Sequence, residues 1–177
     1  QAMPTPMLTM IAIAADKRDG MMRFLYSTPV SSTAIVLGKL LGLMSLSAVL
    51  VILVAVMPLT LLWGTPIDLG VYASNVLGVV LFALLHNCLG LMASAMTRAP
   101  AISALTALLL SLSLWLAEWA NSIAPQASLL GGWTTVTRLR GFNQGLLLSS
   151  DVVYFVVASL VCTAITVLLI EYDRRAT

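Results

Sequence analysis

Four long apolar runs, separated by short polar segments, dominate the pattern of the chain. The runs cover approximately residues 34–63, 69–96, 101–117 and 152–170. A helix needs about 20 residues to cross the ~30 Å hydrocarbon layer of a membrane. The first two runs exceed that length, so we expect them to tilt, to extend into the interface, or to kink at Pro58. The third run is short, and we expect its helix to gain length through Glu118 to Ile123. The pattern predicts an all-α fold, a polytopic membrane helix bundle.

The whole chain, 1–177, is interpreted as a single transmembrane domain, and the segments outside the four runs form its remaining parts. Residues 1–14 are apolar and are followed by charges, so we expect them to be the cytoplasmic end of a partial span. A chain that opens with Gln favours a fragment or a processed product. Residues 15–30 combine charges with an apolar cluster and predict a short amphipathic helix on the cytoplasmic surface. A Ser31 or Ser32 cap is expected to start the next helix. Residues 118–151 predict an outer amphipathic segment.

Composition changes this picture only by making it more definite. Hydrophobic residues make up 60% of the chain and charged residues 9%, whereas about a quarter of a soluble domain is charged. This identifies an integral membrane protein surrounded by lipids. Nine basic and seven acidic residues are too few for a nucleic-acid partner. Cys88 and Cys162 lie inside apolar runs without the spacing of a metal site or a disulfide framework, so we interpret them as small packing residues.

The positions of the basic residues predict an orientation. Arg138 and Arg140 lie on one side of the predicted spans, and seven basic residues lie on the other. These seven are Lys17, Arg18, Arg23, Lys39, Arg98, Arg174 and Arg175. Because cytoplasmic loops carry an excess of Lys and Arg, the larger group is expected in the cytoplasm. The predicted location is the cell membrane, in a multi-pass arrangement.

Gly38 and Lys39 look like the end of a phosphate-binding loop, but the surrounding residues exclude that motif. The motif requires a glycine five residues earlier and Ser or Thr after the lysine, and the chain has Thr33 and Leu40 there. Gly38 and Gly42 instead form a G-x-x-x-G face for close helix packing, within one subunit or between two. Lys39 is a membrane anchor whose ammonium reaches the inner headgroups; a direct role at an ATPase interface is the alternative.

Polar and charged residues near or inside the spans raise the remaining candidate chemistry. His86 and Asn87 lie in the middle of a run, and an ionisable group inside a membrane is a functional candidate. No second ionisable group lies near that depth, so an enzyme, a relay or a metal site lacks partners. We interpret His86 as neutral and hydrogen-bonded to a neighbouring helix, and Asn87 similarly; a substrate path is the alternative. Outer charges are interpreted either as solvated or as a gate or partner site. These outer residues are Glu118, Arg138, Arg140 and Asp151.

The order of several motifs resembles the type-2 ABC permease family. The first part of that family's pattern, with a P-V-S turn and an L-G-K opening a span, is matched by twelve residues of this chain. They are Pro6, Leu8, Thr9, Met10, Gly20, Leu25, Pro29, Val30, Ser31, Leu37, Gly38 and Lys39. "LGLMASAMTRAPAISA", "RGFNQGLLLSSDVVYF" and "TVLLIEYDRR" are similar to its inner turn, outer segment and tail. The resemblance is strongest to the gliding-motility-associated subgroup, whose permeases have six spans. The chain would then lack the first span and part of the second.

This resemblance implies a type-2 ABC exporter permease architecture, in which the permease and the ATPase are separate subunits. The chain would have no catalytic residue and no cofactor, because a separate ATP-binding subunit would bind and hydrolyse ATP. A second permease subunit, identical or different, would complete the pair. The ATPase-coupling residues implied by the resemblance are Asp16, Gly20, Met21, Phe24, Leu25 and Pro29.

The same segment also departs from the family pattern. Ala15, Met21 and Arg23 replace the family's first acidic residue, its threonine and its later glutamate, and Asp16 keeps one carboxylate. These differences keep an alternative open, in which the chain is a non-transporting membrane scaffold subunit of an envelope or motility complex.

Overall fold

The computed structural model describes residues 31–59, 68–97, 99–123 and 135–175. Five α-helices account for nearly all of these residues, and no strand occurs among them. The helices are α1 (Ser32–Leu59), α2 (Leu69–Met96), α3 (Pro100–Ile123), α4 (Thr135–Asn143) and α5 (Ser149–Arg175). The prediction of an all-α membrane helix bundle is confirmed.

Three helices are long and apolar enough to cross a membrane. These segments are Ser32–Pro58, Leu69–Met96 and Ser149–Arg175. The apolar part of α3, Ala101–Leu116, is shorter, but the helix itself continues to Ile123. Pro58 lies in the last turn of α1 rather than in its middle.

Local sequence explains where the helices begin. Ser31 Oγ accepts a hydrogen bond from the Ala34 amide at 3.3 Å, and Asp68 Oδ1 accepts one from the Gly70 amide at 2.8 Å. Such caps satisfy amides that have no partner within the helix. Pro100 opens α3, where the missing amide hydrogen costs nothing.

Helix α2 lies at the centre and contacts each of the other four described helices. At one end of the bundle, Val36 of α1 packs with Leu91 and Ala95 of α2 and Ile170 of α5. At the other end, residues of α2 pack with α4 and the first half of α5. The start of α1 therefore lies beside the ends of α2 and α5, so α1 runs antiparallel to both, whereas α2 and α5 run parallel to each other.

The two ends of the bundle differ in their basic residues. The end at which α5 finishes, hereafter the Arg174 end, carries Arg174 and Arg175, with Lys39 nearby in α1. The opposite end, hereafter the Asp68 end, carries Arg138 and Arg140 on α4. The grouping used for the orientation therefore matches the spatial arrangement of these five residues. The orientation itself stays a prediction.

Candidate functional site

The predicted ATPase-coupling residues precede the first described helix. Asp16, Gly20, Met21, Phe24, Leu25 and Pro29 all lie outside the described residues. Their role stays a prediction. The described site consists of the glycine face of α1, the polar residues inside the bundle, and a charged cluster at the Asp68 end.

The glycine face of α1 has no close neighbour in the described part of the chain. A Cβ atom built on Gly38 or Gly42 would meet none of its heavy atoms within 4 Å, and both glycines are exposed. The two glycines therefore do not mediate close packing against another described helix. Lys39, beside Gly38, is half-buried.

Asn87 joins α2 to α1 in the middle of the bundle. Its side chain is 1% exposed, and its Nδ2 atom donates to Ser47 Oγ at 2.7 Å and to Met44 Sδ at 3.2 Å. Ser47 Oγ in turn donates to the Leu43 carbonyl at 2.6 Å. Because water is scarce at this depth, the amide and the hydroxyl satisfy each other. The sequence marked Asn87 as polar but gave no means of identifying Ser47 as its partner.

His86 differs from its neighbour, and here the prediction was wrong. Its Nδ1 atom lies 3.0 Å from the Phe82 carbonyl oxygen, so the hydrogen bond forms within α2 and not with a neighbouring helix. The imidazole also lies against the Phe82 ring, with centroids 4.0 Å apart. Residues four apart in a helix lie on the same face, which brings the ring to that carbonyl. Within the described ranges, no group of three or more His, Cys, Asp or Glu residues could hold a metal ion.

The two cysteines lie near the contact between α2 and α5. Thr163 Oγ1 of α5 lies 3.4 Å from Cys88 Sγ of α2, and 2.8 Å from the Ser159 carbonyl oxygen. Both Cys88 and Cys162 are free thiols, the first buried and the second half-buried. Their surroundings are those of small residues packed between helices.

A cluster of four polar residues connects α4 to α5 at the Asp68 end. Arg138 Nη1 donates to Asp151 Oδ1, and the guanidinium lies 5.2 Å from the centre of the Tyr154 ring. Thr135 Oγ1 and the Tyr154 hydroxyl are 3.3 Å apart. These residues, Thr135, Arg138, Asp151 and Tyr154, are hereafter the α4–α5 cluster.

Burial excludes the solvated interpretation for two of the outer charges, whereas a gate or partner site stays a prediction and the Glu118 side chain lies outside the described residues. The side chains of Arg138 and Asp151 are 16% and 7% exposed, so the solvated interpretation is wrong for both. Arg140, two residues along α4, is exposed. A possible signal was present in the sequence, because opposite charges lie on either side of a short turn between apolar segments. Proximity in sequence did not show that they pair.

The turn between α4 and α5 depends on a glycine. Gly145 has φ +78°, and its amide donates to the Phe142 carbonyl at 3.1 Å, while the Leu146 amide donates to the Gly141 carbonyl at 3.0 Å. This pair of bonds is the Schellman motif that ends many helices, and its left-handed residue favours glycine. The turn reverses the chain and brings Asp151 back to α4.

Helix α4 is held against α2 by close packing of an aromatic ring on a glycine. Phe142 and Phe155 are both fully buried, with ring centroids 6.2 Å apart in an edge-to-face arrangement. A Cβ atom on Gly78 would lie 2.8 Å from Phe142 Cβ, a distance that real Cβ contacts do not show. Gly78 therefore allows α4 to lie directly on α2. No motif in the sequence distinguishes this glycine from the others.

Comparison with curated proteins and with solved structures finds no match. A family model described as ABC-2 family transporter protein matches residues 5–131. This range includes the predicted coupling segment and helices α1, α2 and α3, and it ends before the α4–α5 cluster. It covers well over half of the sequence and agrees with the apolar helices of the fold. The chain belongs to the ABC-2 transporter family and is a multi-pass membrane permease component of an ABC transporter.

Proposed function

We propose that the chain is the transmembrane subunit of an ATP-driven exporter. It would work with a second permease subunit and with separate ATP-binding subunits, which bind and hydrolyse the nucleotide. The observation that carries this proposal is the family match over residues 5–131, because ABC-2 permeases normally work with an ATP-binding subunit. The resemblance to permeases associated with gliding motility supports a bacterial inner-membrane location. Export, as distinct from import, rests on the same resemblance.

The contacts of α1 support a route for mechanical coupling. The predicted coupling segment, residues 15–30, leads directly into α1, whose first turn is capped by Ser31. Asn87 and Ser47 then tie α1 to α2, and α2 contacts every other described helix. A push on the coupling segment would therefore be transmitted to α2 through α1. In this proposal the Arg174 end faces the cytoplasm and the ATP-binding subunits.

The glycine face of α1 supports a contact with the second permease subunit. Gly38 and Gly42 lie one helical turn apart and are exposed. Small residues at this spacing allow the backbone of another membrane helix to approach closely. Lys39, beside them, would keep its ammonium at the level of the inner headgroups.

The proposal is tested by disrupting the coupling segment. The double change Phe24→Asp, Leu25→Asp should leave membrane insertion intact, because these residues lie outside the apolar runs. It should abolish copurification of the ATP-binding subunit and remove the dependence of ATP turnover on this chain. Gln126→Asp, on the predicted outer side, is the control and should change neither property.

The contrary outcome is equally definite. If the double variant is inserted and both association and ATP turnover are unchanged, residues 15–30 are not the coupling helix. The chain would then be better described as a membrane scaffold subunit.

A further inference from the structure

A groove of ≈ 520 Å³ lies between α1 and α2 at the Asp68 end. Its walls are short apolar side chains, mainly Val51 and Val54 of α1 and Val76 and Val79 of α2. The volume falls within the range of about 300–1,000 Å³ that is typical of small-molecule sites. None of the residues discussed above as coupling or packing groups lines it.

Two hydrogen bonds join the helices that form the groove. Asn87 bonds to Ser47 in the middle of the bundle, and the Tyr72 hydroxyl donates to the Ala55 carbonyl at 2.8 Å near the Asp68 end. Ser47 and Ala55 are eight residues apart, about 12 Å along a helix. Three of the α1 side chains that line the groove, Val51, Val54 and Ala55, are short and leave the space open.

Three described polar residues, Asp68, Tyr72 and Asn75, line the groove. Asp68 is exposed and carries a carboxylate, of which Oδ1 caps α2. Asn75 donates one Nδ2 hydrogen to the Val71 carbonyl at 2.9 Å, so its side chain keeps a second N–H donor and its oxygen acceptor. The Tyr72 hydroxyl donates its hydrogen to the Ala55 carbonyl. Among the described residues that line the groove, Asp68 carries the formal charge, and its carboxylate favours a cation with N–H donors.

We propose that this groove binds one acyl chain of a membrane lipid whose head group is a primary ammonium. The hydrocarbon would lie along the valines, where an empty space would lose dispersion contacts. The ammonium, with three N–H donors, would lie at the Asp68 carboxylate. A trimethylammonium head group has the same charge but no N–H donor, so it would bind less well. This site requires only that the helices lie in a membrane and does not depend on the transport function.

The acyl-chain part is tested by native mass spectrometry of the full chain. The probes are phosphatidylethanolamine and phosphatidylcholine with identical acyl chains, titrated into detergent micelles. Val54→Phe fills the groove and should remove the tightest-bound lipid, lowering its affinity about tenfold or more. Val49→Phe is the matched control, because Val49 is on the same helix, does not line the groove and is 55% exposed. It should bind lipid as the unchanged chain does.

A second variant, on the opposite wall of the groove, tests whether misfolding explains a loss of lipid binding. Val76→Phe should give the same loss as Val54→Phe, with helical content checked by circular dichroism. If both variants keep their helical content and retain lipid as well as Val49→Phe does, the groove is not the site and the proposal is overturned.

The head-group part is tested by Asp68→Asn. Asparagine caps a helix as well as aspartate does, so the start of α2 should be preserved while the charge is removed. The preference for phosphatidylethanolamine over phosphatidylcholine should fall about two- to fivefold, as expected for an exposed ion pair. Glu171→Gln, at the opposite end of the bundle, should leave the preference unchanged. No preference in the unchanged chain, or an equal preference in Asp68→Asn, would overturn the assignment of an ammonium head group.

Discussion

Helices α1 and α2 are both 28 residues long, yet they occupy opposite positions in the bundle. The most apolar 18-residue window of α1 is 11% buried, and that of α2 is 44% buried, although α1 is the more apolar helix. In a water-soluble protein the more apolar helix would be expected at the centre. In this bundle the more apolar helix is the less buried one.

The composition of the buried face of α2 explains the difference. Eight of its eleven buried residues are small or polar, namely Ser74, Gly78, Asn87, Cys88, Gly90, Ala93, Ser94 and Ala95. On α1 the exposed residues include large apolar side chains such as Leu41, Leu53 and Met57. Lipid tails solvate leucine as well as a protein interior does, so a membrane helix gains little by burying it. Close packing and hydrogen bonding decide which helix lies inside.

The largest loss of stability is expected when one partner is removed from the buried ion pair that joins α4 to α5, the two helices packed on α2. Arg138→Leu leaves the Asp151 carboxylate buried without its cation, which costs about 3 kcal/mol or more of unfolding free energy. The measurement is unfolding by a denaturing detergent, followed by circular dichroism. Arg175→Leu is the control, because Arg175 forms an exposed pair with Glu171 and should cost less than about 0.5 kcal/mol.

A second change separates the loss of the pair from the loss of a side chain. Arg138→Leu combined with Asp151→Leu removes both charges and should recover part of the stability. If the double variant is less stable than Arg138→Leu alone, the buried charge is not the source of the loss.

The next largest effect compares two glycines. Gly78→Val places atoms against Phe142, where even a Cβ would be 2.8 Å away, so it should destabilise the subunit by about 1–3 kcal/mol. Gly42→Val meets no described neighbour within 4 Å and should change the stability of the isolated subunit by less than about 0.5 kcal/mol. Thermal unfolding in detergent measures both. Equal losses would mean that the two helices do not differ in packing as described.

A smaller effect is expected where the two helices meet. Asn87→Leu removes the hydrogen bond to Ser47 and should cost about 0.6–1.7 kcal/mol, from the average to the largest contribution of hydrogen bonds between membrane helices. A double-mutant cycle with Ser47→Ala isolates the contribution of the pair. Exactly additive single effects, with no coupling, would contradict the assigned contact.

The smallest effect is expected at His86, whose hydrogen bond stays within α2. His86→Gln retains a polar side chain and should change stability by less than about 0.5 kcal/mol, with ATP turnover of the full complex unchanged. Complete loss of turnover in a normally stable variant would restore His86 as a functional group in the membrane.

Much of the helical pattern could be predicted because it depends on local features. Pro100 opens α3 and Ser31 caps α1, as their positions in the sequence indicate. The hydrogen bond of His86 was predicted wrongly, since sequence alone does not distinguish a bond within a helix from a bond between helices. The pairing of Arg138 with Asp151 was also missed, because the Schellman turn at Gly145 sets the geometry between them.

The sequence by itself determined that this chain is an all-helical membrane protein of the ABC-2 transporter family, because hydropathy over about 20 residues and ordered motifs are properties of the chain alone. Only the tertiary structure decided that α2 is central and that Phe142 packs on Gly78. It also decided that a Cβ atom on Gly38 or Gly42 would have no neighbour within 4 Å in the described part of the chain. Helices of similar apolarity are nearly equivalent in lipid. Their arrangement depends on a few contacts between residues distant in sequence.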